Sequence, residues 1–306
     1  MNNKEKHPQI SVSALLAHKV ESNLKQGRIN SYYRYRSALR AFERHTDCSI
    51  PAIEVSKGWL ERCERSFREQ PLSYTTIRIY MNALKAALRD RYPERKLPFG
   101  RDRYEIPVAA TRKLALTKGQ VQRIAEYRGT HKEELYRDLW LFSYLCNGIN
   151  FRDMLFLKKS DVRDGEICFT RCKTRHRSNQ QRIVRAAVTP QMRAIMERYC
   201  SYGSSYGDGF IFPFAKRGMS IVEQTYLTRR IIRLCNLSLH NIAGKAGVPQ
   251  FTTYSARHSF ATVLQRSGVS IEYISESLGH SSLEMTRTYL AGFDTRTRMR
   301  NARKLL

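Results

Sequence analysis

The residue types that can carry chemistry are concentrated between residues 252 and 290, in the stretch TTYSARHSFATVLQRSGVSIEYISESLGHSSLEMTRTYL, which contains Arg257, His280 and Tyr289. A tyrosine hydroxyl has a reference pKa of about 10, so it is a weak nucleophile at neutral pH unless nearby groups stabilise the phenolate. Attack on a phosphodiester adds negative charge to the non-bridging oxygens. The guanidinium of Arg257 can bind these oxygens bidentately, and His280 can donate a further hydrogen bond. The three residue types therefore predict nucleophilic attack by Tyr289 on a phosphodiester.

Helix boundary signals in the same stretch predict three short helices. The first ends near Gly268, the second begins at the N-cap Ser270 and ends at Gly279, and the third begins at the N-cap Ser282 and carries Tyr289. Tight turns between short helices bring together side chains that are far apart in sequence. We therefore expect the three candidate side chains to form one site.

The spacing of these residues resembles the C-terminal signature of the tyrosine recombinase (phage integrase) family. The matching steps are Ala256-Arg257-His258, Phe260-Ala261-Thr262, Gly268, Leu278-Gly279-His280 and Tyr289. The resemblance also covers the outline of the chain. A helical N-terminal region, a proline-containing linker, an LT step at Leu116-Thr117 and a lysine in a β-hairpin turn follow one another in the family's order.

This resemblance implies a mainly α fold with a small β-sheet, in which an N-terminal helical core-binding (SAM-like) bundle and an α+β catalytic domain form a C-shaped clamp around duplex DNA. It implies strand exchange through a covalent 3′-phosphotyrosine and a Holliday junction, with no metal, ATP or other cofactor. Lys173 matches the family lysine that gives a proton to the leaving 5′ oxygen. The tail after Tyr289 matches a segment that packs onto a neighbouring protomer, which predicts a homotetramer on paired DNA sites. DNA-bending accessory proteins are further candidate partners.

Two positions depart from the family pattern. Asn150 stands where the family's first arginine follows a Gly-apolar pair in G-L-R-x-x-E, so one positive charge is missing. Arg152 lies two residues further on, about 200° around a regular helix, and can replace that arginine only if the backbone is irregular; Arg175 and Arg177 in the hairpin are the other candidates.

Tyr254 stands where the family usually has histidine; its hydroxyl can still hydrogen-bond a phosphate, and the alternative is an aromatic packing residue. A subset of mobile-element integrases shows a similar NF-x-D and Y-x-AR pattern, so the departures indicate a subfamily.

The chain of 306 residues is long enough for two domains with separate cores. Apolar residues at helical spacing predict a bundle of four helices within residues 1–95. Prolines and glycines interrupt this spacing over residues 96–113, which predicts an extended linker, and residues 114–306 are the predicted catalytic domain with its tail. The predicted N-caps are Ser11, Asn30, Ser56 and Ser73 in the bundle and Thr117 at the start of the catalytic domain.

The composition favours a nucleic acid partner. Lys+Arg total 54 against 27 Asp+Glu, which gives a net charge of +27 and a pI near 10.1. This excess is spread along the chain, with +9 in residues 1–110 and +18 in the remainder. Candidate phosphate contacts on the exposed faces of the bundle are Arg34, Arg36, Arg78 and Lys85, for which an ordinary solvated helix face is the alternative.

Short β-favouring runs at residues 166–171 and 182–188 flank the basic turn CKTRHRSNQQ and predict a hairpin. Cys168, Cys172 and His176 resemble half of a zinc site, but no second half follows, so we expect no metal. The chain has no run of about 18 apolar residues, and its N-terminus lacks the apolar run of a signal peptide. We therefore expect no membrane partner and a cytoplasmic, nucleoid-associated protein.

Three alternatives to a recombinase stay open. A DNA-relaxing topoisomerase uses the same chemistry, although the short helical N-terminal domain and the tail count against it. A DNA-binding accessory or regulatory protein that has lost catalysis is compatible with Asn150. A metal-dependent nuclease is the weakest alternative, because Asp161, Asp164 and Glu166 fall in what the sequence indicates is a polar turn before a strand.

Overall fold

The computed structural model describes residues 9–108, 114–172, 182–200, 209–280 and 282–290, together with residues 299, 302 and 303. The chain divides into two compact units, Met1–Thr111 and Arg112–Leu306. The described residues are mostly helical, with one three-stranded sheet in the second unit. This confirms the predicted fold class, mainly α with a small β-sheet.

Helices make up most of the described secondary structure of the N-terminal unit. Its α-helices are α1 (Val12–Lys25), α2 (Ile29–His45), α3 (Lys57–Arg68) and α4 (Tyr74–Arg91). Ser11, Ser56 and Ser73 each accept a hydrogen bond from the backbone N–H three residues further on. These bonds satisfy N–H groups that have no partner within the helix. Three of the four predicted N-caps in this unit are therefore confirmed.

The fourth predicted N-cap, Asn30, is wrong. Helix α2 begins one residue earlier, at Ile29, and Asn30 lies in its first turn. The chain reverses direction at Gly27, which adopts a φ of +64°. Ile29 is then buried directly after the turn. The position of the turn and the burial of an apolar side chain thus set this helix start, and the capping preference of asparagine does not.

Aromatic residues form much of the core of the N-terminal unit. Phe42 stacks on Trp59 with ring centroids 5.9 Å apart and meets Phe67 edge-on at 5.2 Å. Phe99 and Tyr104, which fall within the segment that the sequence indicates is a linker, are buried in the same core. That part of the segment therefore stabilises the N-terminal unit.

The second unit combines helices with a small antiparallel sheet. Its elements are α5 (Lys118–Glu126), α6 (His131–Leu145), α7 (Phe151–Leu155), β1 (Val162–Arg163), β2 (Glu166–Thr170), β3 (Ile183–Ala187), α8 (Pro190–Cys200), α9 (Ile221–Lys245), α10 (Ser255–Arg266), α11 (Ile271–Ser277) and α12 (Leu283–Arg287). Strand β2 pairs with both β1 and β3, and Cys168 lies opposite Arg185. The predicted hairpin is therefore confirmed, as is the capping box that Thr117 forms with Gln120.

The core of the second unit fixes the start of α10. Trp140 is fully buried, and its Nε1 donates a hydrogen bond of 3.0 Å to the carbonyl of Thr252, just before the helix begins. One turn into the helix, the Oγ of buried Ser259 accepts a hydrogen bond of 2.8 Å from the backbone N–H of Leu116. Because buried polar groups are costly without partners, these two bonds hold the first turns of α10 in one place. Those turns carry Arg257.

Candidate active site

Arg257 lies on α10 with only 4% of its surface exposed. Its Nη1 donates to the carbonyl of Gly148 at 3.1 Å, and its Nη2 donates to the carbonyl of Leu278 at 2.5 Å. Burial, together with the nearby charge of Arg171, lowers the pKa of Arg257 to about 10. The guanidinium is therefore still protonated at neutral pH and is held by backbone carbonyls from two separate segments.

His280 follows the end of α11 and is almost fully buried. Its Nε2 lies 3.1 Å from Nη2 of Arg257, and its Nδ1 lies 2.9 Å from Oγ1 of Thr286. Because a guanidinium only donates, Nε2 is the acceptor in the first contact, so the proton of the neutral ring is on Nδ1 and is donated to Thr286. Burial and the charge of Arg257 lower the pKa of His280 to about 3, which agrees with a neutral imidazole.

Tyr289 is partly exposed and lies against both of these side chains. The Cζ of Arg257 lies 5.4 Å from the centroid of its ring, and the ring of His280 lies 4.8 Å away. The prediction that a helix carries Tyr289 is wrong, because α12 ends at Arg287. The backbone carbonyl of Tyr289 lies 3.1 Å from Nδ1 of His258, a contact that holds this residue in a turn after the helix.

The hydroxyl of Tyr289 accepts a hydrogen bond of 2.9 Å from the hydroxyl of Tyr254. The side chain of Tyr254 is 50% exposed, so the two hydroxyl groups are not enclosed in apolar packing. Partial burial and this hydrogen bond raise the pKa of Tyr254 above its ordinary value. The donated bond stabilises negative charge on the oxygen of Tyr289. The structure thus brings together four of the sequence-predicted residues: Tyr254, Arg257, His280 and Tyr289.

Arg171, which is not among the residues predicted from the sequence, also reaches this site. It directly follows β2 and is buried, and its Nη1 donates to the carbonyls of Leu278 and Gly279, both at 3.2 Å. The carbonyl of Leu278 therefore accepts from both Arg171 and Arg257. The signal in the sequence is the basic run around the hairpin turn, but the residues predicted from it, Lys173, Arg175 and Arg177, are closer to the tip than Arg171.

Of the other residues predicted for the catalytic site, only Arg152 lies among the described residues, and it is not joined to this cluster. Lys173, Arg175 and Arg177 lie outside the described residues. Arg152 lies on α7 and lines a cavity of about 610 Å³ together with Asp153. No hydrogen bond or ring contact among the described residues links Arg152 to Arg257, His280 or Tyr289.

The predicted DNA contacts of the N-terminal unit lie on α2 and α4. Arg34 and Arg78 are exposed, whereas Arg36 and Lys85 are partly buried. The guanidinium of Arg36 lies 5.8 Å from the ring of Tyr32, and Nζ of Lys85 lies 5.6 Å from the ring of Phe99. Their contacts with DNA stay a prediction.

Within the ranges that the structure describes, no group of three or more His, Cys, Asp or Glu side chains is arranged to hold a metal ion. Over those same ranges, no helix has the length and apolar character needed to span a bilayer.

The cluster has the groups needed to bind and attack a phosphodiester. Two buried guanidinium groups and an imidazole lie around one partly exposed phenol. Cationic donors that are already held in position stabilise the charge that develops during phosphoryl transfer, because little rearrangement is needed when the reaction begins. The hydroxyl of Tyr289, which accepts a hydrogen bond from Tyr254, is the candidate nucleophile in this arrangement.

Sequence profiles match both units. Residues 115–296 match the phage integrase family, and residues 11–98 match the phage integrase SAM-like domain. The chain is 31% identical over 198 residues to the tyrosine recombinase XerC of Bradyrhizobium diazoefficiens, an alignment that covers 62% of this chain and 54% of that protein. It is 27% identical over 175 residues to a tyrosine recombinase of Agathobacter rectalis, covering 55% of this chain and 52% of that protein. The alignments thus span about half the length of these two relatives.

Two solved structures share the fold. The Tn1549 transposon integrase in complex with transposon right end DNA aligns with a TM-score of 0.63 at 18% identity, over 97% of this chain and 99% of that chain. A lambda integrase tetramer bound to a Holliday junction aligns with a TM-score of 0.63 at 14% identity, over 94% of this chain and 80% of that chain. At these identities the comparison establishes a common fold.

Proposed function

Because the chain belongs to the phage integrase family of tyrosine recombinases, we propose that it is a site-specific DNA recombinase acting through a covalent 3′-phosphotyrosine at Tyr289. The observation that carries this proposal is the partly exposed hydroxyl of Tyr289, which accepts a hydrogen bond from Tyr254 beside the buried Arg257 and His280. A phenol surrounded in this way is activated as a nucleophile and lies next to groups that bind a phosphate.

In the cleavage step, the Tyr289 oxygen attacks the scissile phosphorus, a new P–O bond forms and the phenol proton is released to solvent. The bond from phosphorus to the 5′ oxygen breaks, and that oxygen takes a proton from Lys173. Arg257 binds the non-bridging oxygens while charge accumulates on them, and His280, whose Nε2 accepts a hydrogen bond from Arg257, holds that guanidinium in position. In the joining step, a 5′ hydroxyl of another strand gives its proton to Lys173 and attacks the phosphorus of the phosphotyrosine. The bond from phosphorus to the Tyr289 oxygen breaks, and that oxygen takes a proton from solvent.

Each step exchanges one phosphoester bond for another, so the reaction needs no ATP. The cationic side chains neutralise the charge that a divalent metal ion would otherwise neutralise, so the reaction needs no metal. Strand exchange between two sites, through a Holliday junction held by four copies of the chain, is the proposed full reaction. The fold shared with the lambda integrase tetramer supports this assembly. Basic residues of the N-terminal unit, Arg34 and Arg78 among them, contact the DNA backbone, and the protein acts in the nucleoid, where DNA-bending proteins assist it.

The test uses duplex DNA from the sequences that flank the gene, with a nick near the candidate cleavage site, in buffer containing EDTA. We expect a protein–DNA adduct that survives denaturing electrophoresis. Tyr289→Phe should abolish the adduct and retain DNA binding, because it removes only the attacking oxygen. Tyr273→Phe is the matched control, since Tyr273 is an exposed tyrosine on α11. Adduct formation by Tyr289→Phe would contradict the proposal.

A second candidate is a DNA-binding accessory or regulatory protein of the same fold with weakened catalysis. The observation that favours it is Asn150, which supplies no charge at the position of the family's first arginine. This candidate predicts that the protein retards the flanking DNA in a native gel without forming an adduct. Joined products from two separate DNA sites would exclude it and would also distinguish a recombinase from a topoisomerase.

A further inference from the structure

Arg171 enters the active site from the hairpin and is fitted closely beneath the turn that carries His280. A Cβ placed on Gly279 would lie 3.2 Å from Cδ of Arg171 and 2.7 Å from Cγ2 of Val184. Gly279 also adopts a φ of +61°, which favours glycine. The absence of a side chain at this position therefore lets the stem of Arg171 pass directly under the residue before His280.

The guanidinium of Arg171 lies next to that of Arg257. The two groups donate to one carbonyl oxygen, that of Leu278, at 3.2 and 2.5 Å. Arg171 is 7% exposed and Arg257 is 4% exposed. The two residues are therefore buried to a similar extent and donate to the same backbone oxygen, although they come from different elements of the unit.

The segment that carries Asn150 contacts Arg257 and the residue that follows Arg171. Gly148 accepts a hydrogen bond from Arg257, and Asp153 accepts one of 3.0 Å from the backbone N–H of Cys172, the residue after Arg171. Asn150 lies between these two contacts on the same short segment. Arg257 and the backbone beside Arg171 therefore both contact the segment in which Asn150 stands in place of the family's arginine.

Two like charges held together away from water repel each other, and the charge of Arg171 makes the charged form of Arg257 less favourable. A bound anion relieves this repulsion, and an anion that gains charge during a reaction relieves it further. A pair of buried guanidinium groups is therefore arranged to bind a phosphate more tightly as the transition state approaches.

From this geometry we infer that Arg171 is a catalytic residue, the second guanidinium that binds the scissile phosphate beside Arg257 in place of a residue at position 150. The inference rests on the proposed function for the identity of the phosphate. A purely structural role, in which Arg171 only ties the hairpin to the end of α11, is the competing explanation.

The first experiment compares a normal scissile phosphodiester with an uncharged methylphosphonate at the same position in the nicked duplex. Arg171→Ala should slow cleavage of the normal linkage by on the order of 100-fold, as expected for loss of one donor to the developing charge. The methylphosphonate is uncharged before attack and accumulates one negative charge fewer than the normal linkage, so the variant and the wild-type protein should cleave it at similar rates. Arg185→Ala is the control, because Arg185 is a neighbouring arginine on β3 with 67% of its side chain exposed.

The second experiment titrates inorganic phosphate into the full chain by calorimetry, with no DNA present. Arg171→Ala should weaken binding by on the order of tenfold, since one bidentate donor is lost. Arg171→Lys, which retains the charge but not the planar fork, should give an intermediate affinity. Arg185→Ala should bind as the wild-type protein does.

The outcomes separate this inference from the proposed function. Rescue of Arg171→Ala by the methylphosphonate, with weakened phosphate binding, supports the inference. A folded Arg171→Ala that stays equally slow on the uncharged linkage, or that binds phosphate as tightly as the wild-type protein, overturns it and favours the structural tie. If the wild-type protein cleaves neither linkage, the proposed function fails, and the phosphate titration still decides whether Arg171 belongs to an anion site.

Discussion

His280 is held in its neutral form by the residues around it. It is buried, it accepts a hydrogen bond from Arg257, and its other ring nitrogen donates to Thr286. A protonated ring would lose the first of these contacts and would meet the charge of the guanidinium. The stability of the second unit should therefore respond to acid through this one side chain.

We predict that His280 makes folding less favourable as the pH falls from 6.5 towards 3. Its pKa is about 3 in the folded protein and 6.5 in the unfolded chain, so between these values the unfolded chain binds a proton that the folded chain does not. The free energy of unfolding should then decrease by up to about 1.4 kcal/mol per pH unit from this residue alone. Urea unfolding at pH 7 and pH 5 measures the effect.

The control for this prediction is His280→Gln, which retains hydrogen-bonding groups and does not titrate. The wild-type protein should lose more stability between pH 7 and pH 5 than the variant does. An equal loss in both proteins would show that His280 does not titrate differently on folding.

For single residues, the sequence identifies side chains whose types and spacing match a known chemistry. It does not identify side chains whose partners in the fold are backbone atoms. Tyr289, Arg257 and His280 could be selected because their combination suits attack on a phosphate. Arg171 could not, because its acceptors are carbonyls 107 and 108 residues further along the chain. Nothing local distinguishes it from the other basic residues of the hairpin.

The elements that hold the site depend on close approaches between backbones. Gly148, in the turn before α7, adopts a φ of +61°, and a Cβ there would lie 2.6 Å from Cα of Arg257. Gly268, after α10, also has a positive φ, +86°, but nothing lies within 4 Å of a Cβ placed there. Comparing an alanine substitution at Gly148 with one at Gly268 therefore separates the effect of backbone strain from that of steric overlap.

We predict that Gly148→Ala is more damaging than Gly268→Ala. Both substitutions place alanine in a left-handed conformation, which costs about 1–2 kcal/mol. Only Gly148→Ala adds an overlap with α10, which costs about 1–3 kcal/mol more and displaces Arg257. Urea unfolding should show the difference in stability, and the rate of adduct formation should fall further for Gly148→Ala. Equal effects at the two positions would contradict this account of the contact.

Helix starts could be predicted where a local capping bond decides them, as at Ser11, Ser56 and Ser73. Helix boundaries could not be predicted where tertiary packing decides them. Helix α12 begins at its predicted N-cap Ser282 but ends before Tyr289, whose carbonyl is held by His258 on another helix. That contact joins residues that are 31 positions apart in the chain. The spacing of apolar residues within a short stretch of sequence carries no information about it.

Each of the two units has hydrophobic clusters of its own among its described residues. The hydrophobic cluster of the N-terminal unit contains only residues of Met1–Thr111, and it includes Phe99 and Tyr104 from the end of that unit. A compact unit with its own core is expected to fold by itself.

We predict that a fragment of residues 1–111 folds independently. Its far-ultraviolet circular dichroism should be strongly helical, and it should unfold in urea in one cooperative transition. Phe42→Ala, which removes a fully buried ring, should lower the free energy of unfolding by about 3–5 kcal/mol. A fragment with the spectrum of an unfolded chain would mean that this unit depends on the remainder of the protein.

The oxygen that anchors both arginines belongs to the main chain at Leu278. Exchanging one side chain for another leaves that oxygen where it is, provided that the replacement still fills the buried space. Saturation mutagenesis at position 278 would therefore show that apolar residues are tolerated. It would not detect the role of the backbone carbonyl, which accepts hydrogen bonds from both arginines. Replacing the amide after residue 278 with an ester, which weakens the carbonyl as an acceptor, would reveal it.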